Sequence, residues 1–148
     1  MNVGNACTRE VVTCLAATSL AEVASRMRDR HVGAVVVVDD EKRRRPIGVV
    51  TDRDIVIEIV ATGLDANTIT AGDVMLDGLV TVTEDSGPLE AARAMRSRGV
   101  RRLPVVDRDG ALAGIVTLDD LVHLLSTEMG HLARLVERQP KRETQKRP

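Results

Sequence analysis

The chain repeats itself, and that constrains its fold more than anything else in it. Displaced by 68 positions, residues 4–39 lie on 72–107 with 12 identities in 36, among them Gly4/Gly72, Thr13/Thr81, Met27/Met95 and Asp39/Asp107. The displacement then drops to 66, and residues 47–56 lie on 113–122 with 5 identities in 10, including Gly48/Gly114, Thr51/Thr117 and Asp54/Asp120. The two-residue change falls between DDEKRRRP and DRDGAL, polar stretches of the kind that form hairpin loops and tolerate insertion. A duplicated unit at this period is the signature of a repeat architecture. We divide the chain into a first repeat (1–62), a linker with the start of the second (63–75), the second repeat (76–127) and a C-terminal extension (128–148).

Each unit reads as strand, helix, strand, strand, helix. VVTC (11–14) is a short strand. Ser19 and Glu22 have capping-box spacing, and Leu20, Val23, Ala24 and Met27 follow the i, i+3, i+4, i+7 rhythm of a buried helix face. In the second unit Pro88 stands at a helix start and Gly99 at a helix stop. AVVVVD (34–39) and RLPVVD (102–107) read as buried strands, and Asp109-Gly110 as a two-residue hairpin turn. A third strand, ending at Thr51 or Thr117, runs straight into a helix. The last helix continues toward Arg138, and QPKRETQKRP, without apolar residues, is expected to be a disordered basic tail. The fold class is therefore α/β (α+β), two βαββα repeats.

Composition excludes several functions. Phe, Tyr and Trp are all absent, so the core must be aliphatic and single-stranded nucleic acid would find no ring to stack on. Any bound nucleobase must lie between aliphatic side chains and main chain. Lys and Arg total 21 against 22 Asp and Glu, which leaves no bulk positive charge for a polyanion. No apolar run is long enough to span a membrane and no secretory leader is visible, so a cytoplasmic protein is expected. Cys7 and Cys14 are too few for a zinc cage, His123 and His131 have no cysteine near them, and no metal site is expected.

Two βαββα units, each closing a strand with G-[VI]-V-T and placing Asp three residues after Thr, resemble the cystathionine-β-synthase (CBS) domain pair, or Bateman module. GVVTDRD (48–54), GIVTLDD (114–120) and VRRLPVVD (100–107) carry the resemblance, which covers residues 4–127. It implies a pseudo-two-fold arrangement with the two sheets packed together, helices outside and clefts between the repeats. It also implies adenosine-containing ligands (AMP, ADP or ATP, with S-adenosylmethionine possible), no required cofactor, a homodimer, an effector protein, and sensing rather than catalysis. It departs from the family at Val36, where the second unit has Pro104, and at His31, where the second has Gly99.

Thr51 with Asp54, and Thr117 with Asp120, stand where a strand becomes a helix. The first helical turn there offers unpaired N–H groups and a positive dipole end to a phosphate, Thr a hydroxyl, and Asp a charged acceptor for a ribose diol. Thr-x-x-Asp is equally a capping spacing that only starts a helix. The adenine slots implied by the resemblance are Thr13, Cys14, Gly33, Ala34 and Val35 in one cleft, and Thr81, Val82, Arg102, Leu103 and Pro104 in the other. Small residues at 33 and 34 leave room for a flat ring, whereas Arg101 and Arg102 do not, so the clefts are expected to differ. Arg53, Arg101 and Arg102 are the phosphate candidates.

Two other readings stay open. One is an interaction or nucleic-acid protein using Lys42–Arg45 and the basic tail, although that basic run sits in a predicted hairpin loop. The other is a dimerisation scaffold without a ligand. Both cysteines align with apolar positions and read as core.

Overall fold

The computed structural model describes residues 1–146, with 139–144 described by backbone alone. The elements run β1 (Thr13–Leu15), α1 (Leu20–Arg30), β2 (Ala34–Val38), β3 (Pro46–Thr51), α2 (Asp52–Ile55), α3 (Ala71–Val74), β4 (Val82–Thr83), α4 (Pro88–Arg98), β5 (Arg102–Val106), β6 (Leu112–Thr117) and α5 (Leu118–Lys146). A 3₁₀ turn at Val3–Asn5 opens the chain, and a π-helical turn at Val56–Val60 prolongs α2. The strands form two three-stranded sheets, β1-β2-β3 and β4-β5-β6, each with a parallel and an antiparallel pairing.

The unbroken run Val35–Val38 is buried on both faces, and its two faces do different work. Val35 and Val37 pack with Leu20, Val23 and Met27 of α1, whereas Val36 and Val38 meet Leu112 and Ile115 of the other sheet. The sheets are thus packed face to face with helices outside, as a strand apolar in both registers requires. Sheet two repeats the plan with Leu103, Val105 and Val116 against Ala91 and Met95 of α4.

The opening segment of each repeat crosses to the other unit. Val3 N–H donates to Ser86 C=O (2.8 Å) and Gly4 N–H to Glu84 C=O (2.9 Å). Sixty-eight residues on, Ala71 donates to Thr18 (2.8 Å) and Gly72 to Ala16 (2.9 Å). Val3 belongs to the second core and Ala71 to the first. The glycines of the G-[VI]-V-T motifs admit these segments. A Cβ on Gly48 would stand 2.5 Å from Met75 Sδ, and one on Gly114 would stand 2.6 Å from Cys7 Sγ and 2.9 Å from the Thr8 carbonyl. Those glycines are packing residues.

The two repeats differ where their sequences do. In the first, Val36 N–H donates to Val12 C=O (3.0 Å), and β1 has three residues paired from Thr13↔Val36. Pro104 replaces Val36 and has no N–H, so β4 pairs only from Val82↔Val105 and is one residue shorter. The second hairpin is a three-residue turn, not the two-residue turn expected: Asp107 N–H bonds Ala111 C=O (2.9 Å) around Arg108-Asp109-Gly110. The first hairpin carries the two extra residues inside the Asp39–Arg45 bond (2.9 Å). Arg44 has φ +54° where Gly110 has φ +82°, and the Asp40 carboxylate accepts from Lys42 N–H (2.9 Å). Helix α1 likewise ends on His31 at φ +54°, where α4 ends on Gly99 at +64°.

A further correction concerns the C-terminus. Helix α5 runs to Lys146, so the structureless tail expected from Gln139 is helical that far; residues 147–148 lie outside the described residues. Gln, Lys, Arg and Glu are good helix formers, and a helix already nucleated on the core extends through them even past Pro140.

Candidate functional site

Each strand-to-helix junction is built as a reciprocal capping box. Thr51 has extended backbone (φ −106°, ψ 161°); its Oγ1 accepts from Asp54 N–H (3.2 Å), while Asp54 Oδ2 accepts from Thr51 N–H (2.8 Å). Thr117 and Asp120 repeat both bonds at 3.2 and 2.8 Å. Thr70 and Asp73 form a third box at the start of α3, with bonds of 3.3 and 2.9 Å. The Thr70 N–H and hydroxyl, bonded to the Asp73 carboxyl, hold its pKa below the usual carboxylate value. The reciprocal Thr-x-x-Asp box therefore starts a helix at three places, and what sets a junction apart as a site is its surroundings.

The first-turn amides of α2 are not free, contrary to the expectation from the spacing. Asp52 N–H donates to Gly33 C=O (3.0 Å), Arg53 N–H to Asp52 Oδ1 (2.8 Å) and Asp54 N–H to Thr51. A phosphate at this junction must therefore draw on side chains. The box leaves each member one capacity: Thr51 retains its hydroxyl proton as donor, and Asp54 Oδ1 remains an acceptor.

Around the first junction lies a cleft of about 410 Å³. The first unit contributes Val49 and Thr51–Asp54; the second contributes Leu76–Val80 and Arg98–Leu103. The volume is that of a small-molecule site. Val49, Leu76, Leu79, Val80, Val100 and Leu103 supply aliphatic surface. Arg53, Arg98, Arg101 and Arg102 stand against Asp52, Asp54 and Asp77, four positive charges to three negative. The cleft thus unites Thr51, Arg53, Asp54, Arg101, Arg102 and Leu103 of the sequence candidates.

The remaining candidates lie elsewhere. Cys14, Val35, Val82 and Pro104 are buried in the sheets, and burial pushes the Cys14 thiol up to about 11. Thr13, Ala34 and Thr81 do not line this cleft. The space beside Gly33, expected to admit a ring, is taken: a Cβ there would stand 3.1 Å from Asp52 Oδ2 and 3.4 Å from Arg102 Nη2. Arg102 therefore reaches across to the first unit. Val49, Asp52, residues 76–80 and residues 98–100 were missed by sequence reasoning, because the second repeat reaches the first junction through a crossing that no local pattern marks.

The second junction is differently enclosed. Thr117 lines a hollow of about 80 Å³ with Arg101, Arg102, Leu118 and Asp119. Thr8, the counterpart of Leu76, bonds Ile115 in both directions (2.9 and 3.0 Å), stitching residues 7–10 onto β6. Arg9 clamps that strap through Glu84, through Gly4 C=O (2.9 Å) and through Ala113 C=O (3.3 Å). Its counterpart is Asp77, which lines the open cleft beside Gly78 at φ +74°. Burial also raises the Cys7 thiol. Among the described residues, no group of three or more His, Cys, Asp and Glu is placed to hold a metal ion, and no helix is long and apolar enough to cross a membrane.

Comparison with known proteins gives the geometry a context. The family model of the CBS domain matches residues 3–61 and 71–127. The chain is 38% identical over 124 residues to the uncharacterized protein MK0525 of Methanopyrus kandleri, covering 84% of this chain but 62% of that protein's length. It is 38% identical over 125 residues to hypoxic response protein 1 of Mycobacterium tuberculosis, covering 84% of this chain and 81% of that one. The crystal structure of Hypoxic Response Protein I, described with two coordinated zinc ions, superposes with a TM-score of 0.73 at 33% identity, over 83% of this chain and 98% of that one. The cytosolic domain of the Mg²⁺ channel MgtE, described in complex with ATP, superposes with a TM-score of 0.70 at 30% identity, over 83% of this chain and 48% of that one.

Proposed function

The chain belongs to the CBS domain family, with one CBS domain in each half, and on that premise we propose that it is a regulatory module whose cleft beside the Thr51–Asp54 junction takes an adenosine-containing nucleotide. The observation that carries this reading is the cleft of about 410 Å³ that unites the Thr51–Asp54 junction with arginines and aliphatic side chains of the other unit. In it, Asp54 Oδ1 accepts from the ribose diol, the Thr51 hydroxyl and the guanidinium groups of Arg53, Arg101 and Arg102 take the phosphates, and the adenine lies among Val80, Val100 and Leu103. Arginine suits phosphate through its planar donor fork. The ATP complex of the MgtE domain supports the ligand class. AMP, ADP and ATP are the proposed ligands, with S-adenosylmethionine the alternative occupant.

The ligand would touch both units, so its arrival changes how they sit on one another and thereby what an effector protein meets. The same reading includes a homodimer, a cytoplasmic location and no catalysis, and gives the Thr117–Asp120 junction a weaker second site. Because the chain has no Tyr or Trp, copurified nucleotide would dominate its absorbance near 260 nm. The test is calorimetric titration with AMP, ATP and S-adenosylmethionine. We expect one dominant site per chain for at least one of them; no heat and no thermal stabilisation with any, up to millimolar ligand, overturns the proposal.

A further inference from the structure

Helix α5 continues well past the second CBS domain. The family match ends at residue 127, yet the helix runs to Lys146, about 29 Å further at 1.5 Å per residue. Its first turns are anchored: Leu121 is 1% exposed and Leu118 packs on the second core. Beyond Leu125 the anchoring ends, and every residue from His131 to Arg138 is exposed.

The exposed part is not a polar helix. Val122, Met129, Leu132, Leu135 and Val136 are 58, 65, 58, 66 and 69% exposed. Val122, Leu125, Met129, Leu132 and Val136 are spaced 3, 4, 3, 4, the a/d seam of a left-handed coiled coil. His131, Arg134, Glu137 and Arg138 fall at the outer b, c and f positions. The flanking e and g positions hold Ser126, Ala133 and Leu135, with Glu128 the one charge. In proteins most helical stability comes from packing an apolar face, and this face is left exposed by the rest of the chain.

We propose that this arm is a self-association element, its seam covered by the same seam of a second copy of the chain. Three features favour a second copy over a foreign partner. The heptad spacing is self-complementary. The flanks carry no charge pattern with which to select an unlike helix, and Glu128 at g would face Ala133 at e of an identical parallel partner, so no like charges meet. The area also suffices: the four exposed seam residues Val122, Met129, Leu132 and Val136, with Leu135 beside them, are roughly 60% exposed and offer on the order of 500 Å² per copy, about 1,000 Å² for the pair, the floor of a specific interface.

The test uses the full chain and the double variant L132E/V136E, both sites being exposed and remote from the cleft. Sedimentation velocity from nanomolar to hundred-micromolar protein gives the association midpoint, and ellipticity at 222 nm over the same range gives helix content. The wild type should gain helix as it associates, and the variant should move the midpoint at least tenfold upward and lose that gain. L132M, which keeps the seam apolar, should restore wild-type behaviour. Equal midpoints, or a helix signal in the variant as strong as in the wild type, overturn the proposal. So does a wild type that stays monomeric throughout, which would hand the seam to another protein. Unchanged nucleotide titration in L132E/V136E verifies that the body is intact.

Discussion

Three Thr-x-x-Asp boxes of nearly identical geometry, of which Thr51–Asp54 faces the cleft between the units, separate the helix-starting role of the motif from a ligand-binding one. Asp54→Ala removes the acceptor of the 2.8 Å bond from Thr51 N–H at a half-buried junction. Loss of such a cap costs about 1 kcal/mol, and in a domain of this size lowers Tm by roughly 3 °C. Asp54→Asn is more informative. Its amide oxygen can keep the Thr51 bond, so Tm should stay within about 1 °C of wild type. The other amide atom, however, then turns a neutral N–H donor toward the ribose diol in place of a carboxylate oxygen. A hydrogen bond to a charged group contributes about 1.5–3 kcal/mol, so nucleotide affinity should fall roughly 10- to 150-fold. Asp73→Ala makes the complementary change: it breaks a box away from the cleft, so Tm falls and affinity holds. Thermal unfolding followed at 222 nm gives the stability arm, since the chain has no aromatic signal, and isothermal calorimetry gives the affinity arm. If Asp54→Asn binds nucleotide as tightly as wild type, the diol role is wrong. If Asp73→Ala weakens binding as much as Asp54→Asn, the effect is general softening and the assignment loses its basis.

Other perturbations have equally definite outcomes. Gly114→Ala would set a Cβ 2.9 Å from the Thr8 carbonyl and 2.6 Å from Cys7 Sγ; overpacking of this kind costs about 1–3 kcal/mol. Its Tm should drop by several degrees and its Cys7 should alkylate faster than in wild type. His31→Gly relieves a left-handed residue at the end of α1 (φ +54°) and should stabilise the fold by about 1 kcal/mol in denaturant titration. Burial holds the Cys14 thiol up to about 11 in the folded protein against 9.0 in the unfolded chain. Its contribution is therefore complete below pH 9 and lost as pH rises through 11, with a slope of up to about 1.4 kcal/mol per pH unit. Cys14→Val should flatten that part of a stability-against-pH curve.

The sequence carried those features that depend on local pattern or on comparing one half with the other. The four-valine strand, the α1 face of Leu20, Val23 and Met27, and the hairpin that absorbs two extra residues were all readable, because each is set by neighbours in the chain. The junction motifs were readable too, since Thr and Asp three apart satisfy one another's backbone. Long-range contacts decided the rest. Nothing near Gly33 announces that Arg102, 69 positions on, lies against it. The shorter β4 follows from a missing N–H at Pro104 that matters only because β1 and β4 pair in parallel there. Leu76–Val80 enter the cleft because the second repeat opens against the first, a crossing that periodicity does not encode. The helical continuation from Gln139 was hidden by composition: a segment without apolar residues reads as solvated coil until a long helix is already running into it.

The exchanged opening segments bear on how such a chain could have arisen and how it transmits force. An ancestral single unit with this architecture would have left its own core short of Val3 and borrowed the equivalent residue from a sibling molecule. A fusion of two copies would turn that loan between molecules into one within a molecule. Cut between residues 62 and 63, the halves should still find each other, each holding the piece the other lacks. For the same reason neither half can be pried or tightened by a bound molecule without tugging on its twin.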